Sequence, residues 1–336
     1  MTTNQDFNLT GANQKPLSEH PGMRYAYNPN GMTIGVIAPF EGFQGPVPTM
    51  KDHAQLVRKA EEGGIAQFWV RDVPLLDPRF GDTGQVFDTY TYLGYLSAIT
   101  EKIALGTASS VLPLRHPLDI AKASASVDQL SGGRFTLGVA SGDRPVEFPA
   151  YGKNHADRGE LFRESLEFIQ RAQNESFPEI DSPLGTMSGA DLLPKPTHQR
   201  LPVFVTGTSR QTPEWIAKNA DGWLYYTLPP QQQAQNIEAW RQMTAPKGEP
   251  GWKPFNQATY FDIVEDPKAA PTQIHQGLRL GREALLEFLM FWQSIGIDQL
   301  MINFKSSTRP VGDVLDEMAE YILPHFPAGQ TAAQKN

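Results

Sequence analysis

The stretch Ile103-Ala104-Leu105-Gly106-Thr107-Ala108-Ser109-Ser110, continued by Pro117 to Leu130 and closed by Ser131-Gly132-Gly133-Arg134-Phe135-Thr136-Leu137-Gly138-Val139-Ala140-Ser141-Gly142-Asp143, decides the fold. It reads strand, exposed turn, helix, tight turn, strand. Ile103 to Thr107 is a short apolar run suited to a buried parallel strand, and Ala108-Ser109-Ser110 stand where the backbone emerges, small enough to leave room for a ligand. Pro117 fits the first turn of a helix, where its missing N–H is no loss. Ile120, Ala123, Val127 and Leu130 then recur at 3-4-3 spacing, which predicts one apolar face laid on a sheet. Gly132-Gly133 ends that helix through access to positive φ, and Ser141-Gly142-Asp143 marks the exit of the next strand.

The same unit recurs along the chain. Thr33 to Ala38 reads as a strand ending at Pro39, followed by a helix capped by Thr49 with His53, Leu56, Val57 and Ala60 on one face. Ala66 to Val70 is the second strand, followed by a long loop to about Phe87 and a helix from Thr91 to Ile99. Val203 to Thr206, Trp223 to Tyr226, Thr259 to Val264 and Gln299 to Phe304 complete the set of eight. Helices are expected at Pro213 to Ala220, Gln231 to Arg241, Glu283 to Ser294 and from Pro310 onward, where Leu315, Met318, Ala319 and Ile322 align. Eight strand-then-helix units predict an α/β fold of the (β/α)8 barrel type, with its site at the carboxyl ends of the strands. The expected barrel domain is 33–327, with an insertion after the fourth strand at about 150–201. A polar arm, 1–32, lies over the surface, and 328–336 form a tail. The insertion, Pro-, Gly- and Ser-punctuated, reads as a lid or binding wall, or else as disorder.

At 336 residues the chain can bury one large core, and 40% hydrophobic with 20% charged residues is ordinary for a globular protein. A net charge of −8 disfavours a nucleic-acid surface but allows a local basic pocket for one phosphate. The absence of cysteine removes thiol catalysis and thiolate metal sites, and no His, Asp or Glu cluster has metal-ligand spacing. The polar start and the lack of a membrane-length apolar run point to the cytoplasm, with no membrane partner.

Leu105-Gly106-Thr107 through Gly133-Arg134-Phe135, Leu137-Gly138-Val139 and Thr206-Gly207-Thr208-Ser209, in this order and spacing, resemble the bacterial luciferase-like superfamily of flavin-dependent monooxygenases. The likeness covers about residues 33 to 325. It implies a (β/α)8 barrel with an insertion after the fourth strand, reduced FMN (or, in one branch, the deazaflavin F420) as cofactor, and a homodimer. It also implies a bulge with a non-prolyl cis peptide under the isoalloxazine ring at Thr107, Ala108 and Ser109. The flavin phosphate would lie between the exits of strands four and five, at Ser141, Gly142, Arg158, Gly207, Thr208, Ser209, Arg210 and Gln211.

Chemistry independently favours the second assignment. Gly207 to Gln211 join a buried strand to a helix start, so that N–H groups, hydroxyls and a guanidinium converge where the helix dipole favours an anion. The alternative is that Thr212 merely caps that helix and Arg210 is solvated. For Arg158 the alternative is a surface ion pair. At the second strand exit, relatives carry a His thought to assist catalysis, whereas this chain has Arg71-Asp72. Arg71 could stabilise a developing flavin anion or an anionic substrate group with Asp72 orienting it, or the two could form a buried structural pair. His116 reads as a helix cap, and His53 and His275 as helix-borne or surface residues.

No G-x-G-x-x-G turn follows a strand, so a separate flavin reductase would supply the reduced cofactor. The expected function is an FMN-dependent monooxygenase acting with dioxygen on a small organic substrate. F420-dependent hydride transfer and a non-catalytic flavin-binding barrel are the alternatives.

Overall fold

The computed structural model describes residues 19–80 and 87–329. Expectations for 1–18, 81–86 and 330–336, including most of the arm and the tail, lie outside the described residues. Eight strands form the barrel: β1 (Thr33–Ile37), β2 (Gln67–Val70), β3 (Ala104–Thr107), β4 (Phe135–Ala140), β5 (Val203–Thr206), β6 (Gly222–Tyr226), β7 (Phe255–Ile263) and β8 (Gln299–Asn303). Each pairs in parallel with the next, and β1 pairs with β8 through Thr33 and Gln299, which closes the ring. The expected (β/α)8 barrel is thus observed.

Residues alternate between the barrel interior and the helix-facing shell. Ile34, Val36, Phe68, Val70, Leu105 and Leu300 belong to the large outer core, while Ile37, Trp69, Ala104, Phe204, Leu224 and Met301 cluster inside. Trp69 spans the interior because Gly106 has no side chain: a Cβ there would stand 2.5 Å from the indole Cζ3. The indole N–H donates to Gln299 Oε1 at 2.7 Å, and Gln67 donates to Thr136 Oγ1 at 2.7 Å, so this interior polar layer is paired.

The described part of the arm does not lie over the surface. Residues Pro21–Ala26 form a helix that, with Tyr27, plugs the amino-terminal mouth of the barrel, where Met23, Ala26 and Tyr27 join Trp69 and Phe204 in one cluster. Gly22 N–H donates to Gly133 O at 3.0 Å, and Tyr27 O–H accepts from Asn256 Nδ2 at 2.7 Å. That last bond explains why β7 begins at Phe255 rather than the expected Thr259: its polar Asn256 finds its partner in the plug.

Two local expectations are corrected. Thr49 does not cap the first barrel helix, His53–Gly63; Asp52 flanks it in the left-handed region (φ 57°), and Thr49 Oγ1 donates to Glu41 at 2.7 Å. In the helix Pro117–Leu130 the buried face is Ile120, Ala121, Ser124, Ala125, Val127 and Asp128, while Leu130 is exposed. Polar residues are tolerated on that face because they are bonded: Ser124 Oγ donates to Ile120 O at 2.6 Å and accepts from Gln173 Nε2 at 2.8 Å.

The segment after β4 also differs from expectation. Arg158–Asn174 is the unit's own barrel helix, packed against Pro117–Leu130. The extra chain that follows forms the hairpin Ile180–Ser182 with Gly185–Met187. It is tied to both ends of the helix Pro117–Leu130: Leu184 O meets His116 Nε2 (2.8 Å) at its start, and at its end Lys195 O accepts from Gln129 (2.8 Å) and Thr197 N–H donates to Asp128 (2.7 Å). It is an ordered outer wall and not a lid over the site.

Candidate functional site

The carboxyl ends of β3, β4 and β5 meet at one place. Thr107 Oγ1 donates to Gly138 O at 2.7 Å, and the peptide Ala108–Ser109 that follows is cis, at the position the resemblance implied. Beyond it, Ser110 and Val111 pair again in parallel with Val139 and Ala140, so Ala108 and Ser109 form a bulge between two paired segments. Ser109 Oγ is bonded to Thr206 Oγ1 at the end of β5. Ser141 is buried, and Gly142 has φ 85°, with Val111 Cγ1 at 2.7 Å from where its Cβ would be.

After β5 the chain turns through three residues of positive φ, Gly207 (53°), Ser209 (45°) and Arg210 (64°). The Gly207 and Gln211 N–H groups, expected to face an anion, are taken by Leu224 O and Thr208 O, both at 2.8 Å. The Gln211 side chain is likewise engaged, donating to Gly159 O at 2.9 Å and Ser209 O at 3.1 Å. Gln211 therefore ties this turn to the start of the helix Arg158–Asn174. Thr212 does cap its helix, accepting from Trp215 N–H at 3.2 Å. Thr208 and Arg210 remain exposed at the rim.

The helix start thus joined to the turn carries Arg158, whose guanidinium donates to His155 O at 2.8 Å rather than to a surface carboxylate. Burial first, and then the neighbouring Arg210 guanidinium, hold Arg158 below the usual arginine range. Burial followed by Arg158 and Arg210 lowers the His155 imidazole in the same way. His155 packs edge-on against Phe148 with centroids 4.8 Å apart, and its Nε2 is buried with no hydrogen-bond partner among the described residues. Two guanidiniums in one cradle raise the local positive potential, which suits a phosphate, and the neutral imidazole offers it a hydrogen-bonding nitrogen. His155 was missed in the sequence; its legible signal is the His-x-x-Arg spacing behind Asn154, which caps the turn by accepting from Ala156 N–H at 3.2 Å.

At the β2 exit the expected Arg71–Asp72 pair is not formed as such. Asp72 is buried and binds Arg115 in a two-pronged ion pair, with Arg115 NH2 at 2.7 Å from Oδ1, and it accepts from Val111 N–H at 2.9 Å. Burial opposes the Arg115 charge, but Asp72 outweighs it and raises the guanidinium above its usual range. Asp72 therefore braces the β2 exit against the chain leaving β3. Arg71 follows Gln67 and Trp69, which point inward, at alternating spacing, and is partly exposed.

Glu147, in the short helix Glu147–Ala150 after β4, is buried with Arg144 NH1 at 3.8 Å. Burial pushes its carboxyl up to about 6 against the opposing pull of Arg144. His116 caps its helix, with Nδ1 accepting from Leu118 N–H at 3.2 Å, and His275 is exposed. His53 is helix-borne but buried: Nε2 accepts from Phe40 N–H at 3.2 Å, so the other nitrogen donates to Tyr92 O–H at 2.7 Å. Arg134 serves the fold, donating to Ser131 O at 2.8 Å and to Thr100 O at 2.9 Å, where it closes the end of the helix Thr89–Ile99. Among the described residues no His, Asp or Glu cluster could hold a metal, and no helix is long and apolar enough to cross a membrane. Across the mouth from the cradle, the loops after β1, β2, β7 and β8 enclose a cleft of about 620 Å³.

The chain matches the family model of luciferase-like monooxygenases over residues 32–284. It is 32% identical over 140 residues to the alkanal monooxygenase beta chain of Photorhabdus luminescens, covering 41% of this chain and 43% of that one. The chain spans 43% to 66% of the length of the curated relatives it matches. It superposes with a TM-score of 0.70 on an F420-dependent secondary alcohol dehydrogenase in complex with an F420-acetone adduct, at 17% identity over 87% of this chain and 98% of that one. The TM-score is 0.66 on the oxygenating constituent of 3,6-diketocamphane monooxygenase from Pseudomonas putida in complex with FMN, at 13% identity over 89% of this chain and 99% of that one. At these identities the structural likeness is one of fold.

Proposed function

Because the chain belongs to the luciferase-like monooxygenase family, we propose that it is an FMN-dependent monooxygenase acting with dioxygen on a small organic substrate. The observation that carries the reading is the cradle between the β4 and β5 exits, where Arg158 and Arg210 concentrate positive charge beside a His155 nitrogen that has no hydrogen-bond partner among the described residues. Phosphate fits there because charge-assisted bonds to guanidinium groups are the strong ones and because its charge would relieve the Arg158–Arg210 repulsion. Ala108, Ser109 and Ser141 would line the ring side, with Trp69 and Phe204 as part of an apolar floor. When bound, reduced flavin supplies the two electrons with which dioxygen delivers one oxygen atom to substrate and the other to water.

The protein's own contribution is to hold the phosphate, keep the ring over a dry floor and place a cation beside developing negative charge. We assign the last role to Arg71, which leaves β2 with the inward alternation and stands on the face where barrel enzymes build their sites. Asp72 positions the wall through Arg115.

Reduced FMN would come from a separate reductase. A homodimer remains the expected assembly. In the helix Arg282–Ser294, Leu285, Leu289 and Trp292 are absorbed into the core, and Met290 and Phe291 are exposed. Light scattering at micromolar concentration giving a monomer mass would remove the dimer.

The functional test is titration with FMN and with F420 by flavin fluorescence, followed by anaerobic reduction and admission of air. FMN binding with reoxidation slower than that of free reduced FMN supports the monooxygenase. Binding with unaltered reoxidation supports a non-catalytic flavin-binding barrel, and preference for F420 supports hydride transfer.

A further inference from the structure

The cleft opposite the phosphate cradle has a chemistry of its own. Phe43, Pro46, Pro78 and Ile274 give it apolar walls, and Lys305 and Arg279 bring two cations to it. Its volume of about 620 Å³ suits a small organic molecule.

The charges in this cleft are unevenly satisfied. Asp77 is held by Arg79, with Nε 3.1 Å from Oδ1. Asp262 is fully buried and accepts from Arg279 Nε at 2.6 Å and from Thr308 N–H and Oγ1, both at 2.9 Å. Asp77 is therefore paired with Arg79, and Asp262 with Arg279 and Thr308 of the cleft wall. The Arg279 side chain is nevertheless 49% exposed, so it still reaches the open face of the cleft. Lys305 Nζ lies 5.5 Å from the Phe43 ring centre, and among the described residues no carboxylate stands within ion-pair distance of it. An ammonium set against an aromatic wall, with no counter-ion among the described residues, is a seat for an anion.

We propose that this cleft binds the substrate as an organic anion. A carboxylate or sulfonate would sit between Lys305 and Arg279, and an apolar body would lie against Phe43, Pro46, Pro78 and Ile274. The assignment rests on the monooxygenase reading for the word substrate, but binding itself needs no flavin. A cationic ligand would meet Lys305 and Arg279 with no free carboxylate among the described residues in return, and a neutral one would bring no charge to Lys305.

The test uses the full chain without flavin and three probes of one shape: 2-naphthoate, 2-naphthalenesulfonate and the neutral 2-naphthylmethanol, with binding followed by calorimetry. The wild type should prefer both anions over the alcohol by about tenfold, the loss expected of one charge-assisted contact. Lys305→Met should reduce that preference to about twofold or less. Lys102→Met, an exposed change at the far end of the barrel, and Arg210→Met should both retain it. Equal binding of all three probes by the wild type, or an undiminished preference in Lys305→Met, overturns the proposal. Loss of the preference in Arg210→Met does so too, since it would place the anion in the phosphate cradle. An anion preference limited to the sulfonate or to the carboxylate supports the site and names the headgroup. A chain that prefers the anions but ignores FMN keeps this cleft and loses the flavin reading, whereas one that binds FMN without anion preference does the reverse.

Discussion

Arg210→Met in the phosphate cradle should separate FMN from riboflavin, which differ in the phosphate alone. Arg210 is exposed at the rim and has no structural carboxylate partner among the described ion pairs, so its removal leaves no buried charge behind. A charge-assisted contact to phosphate contributes about 1.5 to 3 kcal/mol, so FMN should bind about 10- to 150-fold more weakly. Riboflavin, lacking the group, should bind the variant and the wild type alike. The unliganded variant should also melt at or above the wild-type temperature, because Arg158 and Arg210 repel one another. Flavin fluorescence quenching at low and high salt measures all four affinities, and the wild-type preference for FMN should shrink as salt rises. Met keeps the residue's left-handed backbone cost unchanged, which a change to Gly would not. If riboflavin weakens as much as FMN, Arg210 only shapes the pocket. If neither moves, the phosphate does not sit between β4 and β5.

The other expected outcomes follow from single contacts. Asp72→Asn breaks the buried ion pair with Arg115 and should cost about 3 to 5 kcal/mol in chemical denaturation, an unchanged midpoint showing that the pair carries no stability. Arg71→Met should lower single-turnover rate by about 100-fold with the Asp72–Arg115 pair left in place, and a fully active variant removes Arg71 from the chemistry. Glu147→Gln should stabilise the protein at pH 8 by about 2 kcal/mol and not at pH 4. The sign follows from its carboxyl being raised to about 6 from an ordinary 4.5: the folded state binds the extra proton between those values, so stability falls as pH rises through them. Equal stabilities of wild type and variant at both pH values would show that Glu147 ionises without penalty.

What was legible in the sequence was what repeats. Short apolar runs such as Val203 to Thr206, each followed by a helix with one apolar stripe, fix a barrel because only a parallel sheet covered by helices buries such strands. Polar residues inside elements hid their boundaries. Asn256 looks like the end of a loop until Tyr27 of the amino-terminal plug is found against it, and Asp128 looks solvent-facing until Thr197 donates to it. Partners some 230 and 70 positions away leave no trace in a local window.

The site follows the same division. Small residues at the β3 and β4 exits, Ala108, Ser109, Ser141 and Gly142, could be read because space for a ligand is a local property. Charge pairing could not, and Arg71-Asp72 shows why. Adjacent residues beyond a strand point to opposite sides, so neighbours in sequence are poor candidates to bond each other, and Asp72 reaches instead to Arg115, 43 positions on. That exchange of partner alters the chemistry open to Arg71. An arginine locked to Asp72 would be part of the wall, whereas Asp72 is taken by Arg115 and Arg71 stands partly exposed beyond the end of β2. A loss of rate in Arg71→Met that leaves the Asp72–Arg115 pair intact would place Arg71 in the chemistry, which an Arg71–Asp72 pair would not allow.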